Sequence, residues 1–519
     1  MRIGGLASGM DIDQLVKDLM RAERMPLDKL YQKKQILEWQ RDDYREMNKL
    51  LQELDTFIFD GVFKQSTFLK KAVTSSDESV VTAVATNVTA NQTVELKDIT
   101  QLASAARWTS ETAIKTTAAD NKIDPNAKLN TVTFTTSGGS VQFAGSVTLK
   151  FDIMNPGSTT VETAEITIDP STDTLNSVIT KINQNTKLGV SAFYDEVTQK
   201  LVITKNETGS GASIKVVSGA NFLKELGFTS ASDGAELTGK TNGQNAKFTI
   251  NGLATERTTN TFTINGMTYT LKNTKTTGTV TISTATDTDS IFNSIKAFVD
   301  KYNEVISKIN AELKEERYRD YPPLTDEQKE AMTEKQVELW EEKARSGMLR
   351  NDSILSSGLS KMRMALYMKV EGSNITSGFS QLAEIGITTS SNYLDGGRLI
   401  IDEIKLREKI QENPDAIYRL FNNDSTNYSE KGIARRLRDT IKDTIGKIEQ
   451  KAGKTLWTNQ QFAIGRNLNQ IDDQIDRFED RLVEIEDRYW RQFTAMEKAI
   501  NQYNSQAMYL MNAFGGGMQ

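Results

Sequence analysis

The feature that most constrains this chain lies near its far end. Ile464, Leu468, Ile471, Ile475, Phe478, Leu482, Ile485 and Tyr489 follow one another at spacings of 4 and 3. Phe493 comes after a second 4, and Met496, Ile500, Tyr503, Ala507, Leu510 and Phe514 continue the series. An apolar repeat of 3.5 residues holds a narrow stripe on one side of a helix, so about seven heptads of it specify a long helix with a coiled-coil seam. The doubled 4 after Tyr489 is a stutter that relaxes the supercoil locally. Flanking positions are charged, among them Asp472, Asp473, Asp476, Glu479, Asp480 and Arg481. Such a stripe needs a partner helix, in this chain or in another.

The opening of the chain offers one of comparable length. From about Asp11 to Phe59, Ile12, Leu15, Leu19 and Ala22 repeat at 3 and 4. After Pro26 the series resumes as Leu27, Leu30, Leu37, Tyr44, Met47, Leu51, Leu54 and Ile58, with gaps at polar Lys34 and Arg41. Pro26 lacks an N–H to donate, which fits either a kink or the first turn of a new helix.

Between these ends the texture changes. From Val73 to about Thr286 the chain is rich in Thr, Ser, Val, Asn and Gly, with short alternating runs such as Val147–Phe151 and Lys200–Thr204. Turn signals at Ser137-Gly138-Gly139, Asn155-Pro156-Gly157, Asn251-Gly252 and Asn265-Gly266 punctuate them. This predicts a β-rich block with one helix at Thr174–Asn185, capped by Asp173. From about Asp287 the pattern is helical again, with Ile291, Phe292, Ile295, Phe298, Val299, Tyr302, Val305, Ile306 and Ile309 on one wide face. Asp287 and Asp289 suit its N-cap. The charged segment Lys314–Lys343, with Pro322-Pro323, reads as a solvated helix or helical pair. Leu382–Ile401 reads as a small hairpin, and Pro414 opens another helix.

The expected fold is therefore α+β and multidomain, with a terminal helical coiled-coil stalk and a helical domain bracketing inserted β-rich head domains. The expected division is 1–40 plus 470–519 as a terminal leg and 41–72 plus 287–469 as a helical stalk domain. An inner β-rich head takes 73–106 plus 236–286, and an outer one takes 107–235. An antiparallel pair or mixed bundle suits the two ends, and a seam this long leaves a face for other chains.

Composition narrows the chemistry. The chain has 0 His and 0 Cys, so a thiolate or imidazole zinc site, a Ser-His-Asp triad, a Cys nucleophile and a disulfide framework are all excluded. With 63 Lys+Arg against 69 Asp+Glu, the net charge of −6 lacks the basic excess of a nucleic-acid binder. No run of about 18 apolar residues predicts a membrane span. Met1–Met10 carries only Arg2 and no apolar stretch, so no cleaved secretory signal is expected. Asp472, Asp473 and Asp476 are best read as a solvated coiled-coil face rather than a cation site. Gly209-Ser210-Gly211 lacks the Lys-Ser/Thr of a phosphate loop. Met362 and Met364 read as helix core. Asn87-Val88-Thr89 matters as a glycan acceptor only in a eukaryotic secretory setting. No catalytic constellation remains, and neither a cofactor nor a metal is expected. The reading is a structural or binding protein rather than an enzyme.

Specific residues then carry a resemblance. Gly4-Gly5-Leu6-Ala7-Ser8-Gly9-Met10-Asp11-Ile12-Asp13, with Leu15-Val16 and Ala22-Glu23 through Pro26-Leu27, resembles the amino end of the bacterial flagellar filament cap family, the flagellar hook-associated protein 2 family. Phe493–Ile500 through Asn504-Ser505-Gln506 resembles its far end. Phe248–Gly252, Arg257, Asn260-Thr261 and Ile264–Gly266 through Leu271-Lys272 look like an insertion motif of flagellin-like axial proteins, with a weaker copy at Ala164–Thr204. Leu382–Ile387, Leu399–Glu403 and Asn413–Ala416 are similar to the family as well.

The resemblance implies a secreted, non-enzymatic scaffold at the distal filament tip, exported unfolded through the flagellar type III apparatus. It implies a homo-oligomeric plate of about four to six subunits that promotes folding and insertion of flagellin. Flagellin, hook–filament junction proteins and an export chaperone are the implied partners; nucleic acid and membrane insertion are not. On this reading Leu15, Leu19, Leu30, Leu468, Ile471, Ile475, Phe478, Leu482 and Ile485 are expected to contact the filament's helices. The alternatives are another axial protein (flagellin or a junction protein), an adhesin using the Thr/Ser-rich heads, and a carboxylate-dependent hydrolase.

Overall fold

A computed structural model of the 519-residue chain describes residues 9–86 and 90–515. Gly4 to Ser8, Asn87 to Thr89 and the side chain of Phe514 lie outside the described residues. The chain forms two compact units, residues 1–70 with 288–519 and residues 71–287, the second inserted into the first.

The inserted unit follows helices α1 (Ile12–Asp60) and α2 (Gln65–Phe68) in the chain. Its strands are β1 (Lys71–Ser75), β2 (Val81–Ala85), β3 (Thr93–Gln101), β4 (Ala105–Thr109), β5 (Val147–Met154) and β6 (Val161–Ile168). After helix α3 (Leu175–Gln184) come β7 (Val190–Asp195), β8 (Lys200–Thr208) and β9 (Ser213–Ser218). Helix α4 (Ala220–Glu225) precedes β10 (Lys240–Thr241), β11 (Ala246–Ile250), β12 (Leu253–Arg257), β13 (Thr261–Ile264), β14 (Met267–Leu271) and β15 (Lys275–Thr286). All ladders are antiparallel.

Two sheets, β1-β15-β3-β11-β12 and β13-β14-β2, close on one core that includes Val81, Leu96, Phe248, Phe262, Met267, Tyr269 and Ile282. Their hairpins turn at Asn251-Gly252 and Asn265-Gly266, where all four residues have positive φ. A two-residue type I′ turn requires that geometry, and Asn-Gly supplies it. A second pair of sheets, β10-β4-β8-β7 and β6-β5-β9, surrounds a separate core built on Trp108, Phe134, Leu149, Phe151, Val178, Leu201 and Phe222.

Helix α3 spans two exposed edges of that outer core. Asn183 donates to the Ala192 carbonyl at 3.0 Å and accepts from its N–H at 2.5 Å, which occupies the edge of β7. Lys181 and Asn185 donate to the Thr167 and Glu165 carbonyls on β6. An edge strand with its backbone groups taken cannot pair with another chain.

Two local expectations need correction here. The cap of α3 is Thr174, in a reciprocal capping box with Ser177. Asp173 instead accepts from Asp169 N–H, Ser177 Oγ and Lys181 Nζ. The block also holds a second helix, α4. Its six residues are too few to show a period, and it starts after left-handed Gly219 with no side-chain cap.

The helical unit continues with α5 (Thr288–Lys314), α6 (Asp326–Glu330), α7 (Glu334–Arg345) and α8 (Ser353–Tyr367). The hairpin of β16 (Ile387–Thr389) and β17 (Leu399–Ile401) follows, then α9 (Glu403–Glu412), α10 (Pro414–Asn422), α11 (Ile433–Ala452) and α12 (Ala463–Gly515). Its main core joins Tyr44 to Ile58 of α1 with the apolar faces of α5, α8, α9, α10 and α11, and ends on α12 at Leu468. Asp289, in the first turn of α5, pairs with Arg407 Nη1 at 2.6 Å. Met362 is buried as expected, whereas Met364 faces solvent.

Arg436 is fully buried in this unit. It donates to the Met368 and Lys369 carbonyls just past the end of α8, where a helix has unsatisfied acceptors and a partial negative charge. Burial lowers its pKa, partly opposed by Tyr428. The turn between α11 and α12 depends on Gly453 at φ 73, where any Cβ would overlap the Phe462 ring.

Candidate functional site

Helices α1 and α12 leave the helical core together as an antiparallel pair. Asp11 starts α1 by accepting from Gln14 N–H at 3.0 Å. The helix then runs unbroken through Pro26 to Asp60, so Pro26 does not open a second helix. Three polar contacts fix the direction of the pair. Tyr31 Oη donates to Glu479 at 2.6 Å, Lys34 Nζ meets Asp472 at 2.7 Å and Tyr489 Oη donates to Glu23 at 3.0 Å. Lys34 is one of the two gaps in the apolar series of α1. A lone polar residue in a seam costs stability but specifies register, and its pairing takes Asp472 out of the solvated face expected for it. Extending this order sets Ile12 and Val16, both buried, opposite about residues 495–500.

A small second core holds the pair. Leu27, Ile471, Ile475 and Leu482 are buried in it, with Leu30, Leu37 and Phe478 partly buried against it. Ile485 is buried one turn further on, while Leu468 belongs to the main helical core. The expected contact residues Leu468, Ile471, Ile475, Leu482 and Ile485 are therefore covered within this chain, and Leu30 and Phe478 are half-covered. Periodicity establishes that a stripe is buried and leaves open which chain buries it. Leu15 and Leu19 are different: each is 38% exposed, although they lie on the same stripe of α1 as buried Ile12.

Past Ile500 the cover ends. Every residue from 501 to 512 is exposed, including Tyr503, Met508, Tyr509, Leu510 and Met511. An apolar helix end in that state is suited to burial against another molecule. The polar clasp residues Tyr31, Glu479, Glu23 and Lys34 were missed as functional positions; only the gap at Lys34 signalled them.

The hydrogen bond to Glu479, aided by burial, pushes the Tyr31 pKa up to about 12. A raised value means the folded chain keeps a proton that the unfolded chain sheds near pH 10, so stability is complete below pH 10 and falls as pH rises toward 12. Between pH 10 and 12, helicity of the wild type is expected to fall more steeply than that of Tyr31→Phe, by up to about one proton in the linkage slope. Equal slopes would mean that the clasp does not hold the pair.

Among the described residues no group of three or more Asp or Glu could hold a metal ion, and no helix is long and apolar enough to cross a membrane.

Comparison with known proteins gives matches at both ends of the chain and to relatives of similar length. Residues 8–106 match the family described as flagellar hook-associated protein 2 N-terminus, and residues 243–505 match its C-terminus. The flagellar hook-associated protein 2 of Halalkalibacterium halodurans is 36% identical over 99% of this chain and 100% of its own length. That of Thermotoga maritima is 26% identical over 99% and 96%. The crystal structure of the flagellar cap protein FliD D1-D2-D3 domains from Escherichia coli shares the fold, with a TM-score of 0.53 and 21% identity. That likeness covers 79% of this chain and 96% of the crystallised one. With its amino and carboxyl segments both matched and its full length shared with a 36% identical relative, this chain belongs to the flagellar hook-associated protein 2 family.

Proposed function

We propose that this chain is a non-enzymatic cap at the distal tip of the bacterial flagellar filament, where it assists folding and insertion of exported flagellin and prevents its loss. It acts as a homo-oligomer of about four to six copies. The β-rich unit forms the plate, and the paired terminal helices form legs that meet the filament. The four-part division into leg, helical stalk, inner head and outer head belongs to this reading; four separate apolar cores support it. Flagellin, the junction proteins and an export chaperone are the partners, and the route outward is the flagellar type III apparatus.

The observation that carries the proposal is the end of α12, exposed from 501 to 512 and carrying Tyr503, Met508, Tyr509, Leu510 and Met511 uncovered, on a helix whose earlier turns are paired. We assign filament contact to that surface and to Leu15 and Leu19. The seam residues Leu468, Ile471, Ile475, Leu482 and Ile485 support it by holding the leg together. A small apolar surface repeated on each subunit gives weak multivalent attachment, which suits a cap that must hold on and yet advance.

Cells lacking the gene are expected to carry hooks without filaments and to release flagellin into the medium. The intact gene restores filaments and stops the release. Normal filaments without it would refute the proposal.

A further inference from the structure

The charged segment between α5 and α8 does more than occupy solvent. It packs along the first helix in a chain of contacts running from Arg21 to Tyr44. Arg21 Nε and Nη2 reach Glu327 at 3.3 Å, and Gln32 Nε2 donates to the Pro323 carbonyl at 2.9 Å. Gln40 donates to the Met348 carbonyl at 3.4 Å, Arg345 meets Asp43 at 3.2 Å, and Tyr44 Oη donates to Asp352. Leu324 is 8% exposed beside these contacts, while Ala344, Met348 and Leu349 are buried further along and Leu349 joins the main helical core.

The segment is also tied to itself. Trp340 Nε1 donates to the Pro322 carbonyl at 2.8 Å and its ring lies 4.7 Å from Tyr321. Lys329 pairs with Glu341 at 2.7 Å, and Arg317 donates to the Ala344 and Ser346 carbonyls. A segment with this many internal ties has already paid most of its ordering entropy before it touches α1.

Its effect is visible in the cover of α1. Every residue from Lys34 to Asp43 is half-buried, so the helix is enclosed around its circumference there. From Asp11 to Pro26, by contrast, only Ile12 and Val16 are buried, and Met20 and Glu23 half-buried. Three features mark one level of the leg: the last contact of the segment, at Arg21; the Glu23–Tyr489 hydrogen bond; and Pro26, which leaves the Ala22 carbonyl without its helical donor. The stutter in α12 starts at the same Tyr489. A helix missing one hydrogen bond bends most readily where nothing braces it.

We propose that residues 315–352 are a splint on the leg: they stiffen α1 from Leu27 to Tyr44, with only the exposed Arg21–Glu327 pair reaching further, and so place the leg's bending point at Ala22–Pro26 and Tyr489. The distal leg can then tilt to meet sites of differing geometry while the proximal leg stays aligned with its core. This inference does not depend on what the distal leg grips.

Amide hydrogen exchange on the full chain tests it. In the wild type, amides of residues 12–20 and those after 490 should exchange fast, and those of 27–40 slowly. Leu324→Asp should accelerate exchange at 27–40 by about tenfold or more while α8 and α11 change less than about twofold. The double variant Arg21→Ala/Gln32→Ala, which alters no buried residue, should give a smaller acceleration in the same place. Unchanged exchange at 27–40 in Leu324→Asp would overturn the proposal. Equal acceleration across α8 and α11 in both variants would overturn it too, since the segment would then be part of the helical core rather than a brace.

Discussion

Ile475→Asp is expected to open the leg without unfolding the helical unit. Ile475 is buried in a core of only four covered side chains, with Leu27 of α1 and between Ile471 and Leu482 along α12. Burying each contributes about 1.5–3 kcal/mol, and an unpaired carboxylate in that seam removes its neighbours' burial as well as its own. A local loss of about 3–4 kcal/mol follows. The main helical core ends at Leu468 and shares only half-buried Leu37 with the leg, so the loss should stay local. Protection of amides at 27–35 and 471–489 should fall about 100-fold or more, with the α8 and α11 amides unchanged. Unfolding of α8 and α11 alongside the leg would show one cooperative core in place of two. Unchanged leg protection would mean that the polar clasp alone holds the pair.

Much of this architecture was readable in the sequence because it rests on local rules. The 4-3 spacing from Ile464 sufficed for α12, and Asn251-Gly252 and Asn265-Gly266 sufficed for two hairpins, since only positive φ at both residues closes such turns. Pro414 at the start of α10 and the hairpin within 382–401 follow from the same punctuation. What stayed hidden was tertiary choice. An apolar stripe reports burial without naming the burier, so Ile471, Ile475 and Leu482 read as assembly contacts although they share a small core with Leu27, Leu30 and Leu37 of the same chain. Lys314–Lys343 reads as solvated because its charges outnumber its apolar residues; its docking runs through one leucine, a few backbone carbonyls and exposed ion pairs that leave no period. Arg436 gave no signal, since nothing local distinguishes an arginine that satisfies another helix's carbonyls from one in water.

The central claim is that the uncovered end of the leg, and not the folded body, engages the filament. Removing residues 490–519 tests it most directly. Both helical cores lie before that point, the main one ending at Leu468 and the small one at Leu482. The truncated chain should therefore fold, with only the first turns of α1 around Ile12 and Val16 losing their cover. The loss touches the whole exposed stretch from 501 to 512 together with the half-buried Phe493, Met496 and Ile500. The decisive measurement is filament length by electron microscopy in cells whose only copy of the gene encodes residues 1–489, with secretion and folding of the shortened protein verified by its circular dichroism and protease resistance. The account predicts a folded, exported protein and cells bearing hooks with no filaments. Full-length filaments on those cells would contradict it.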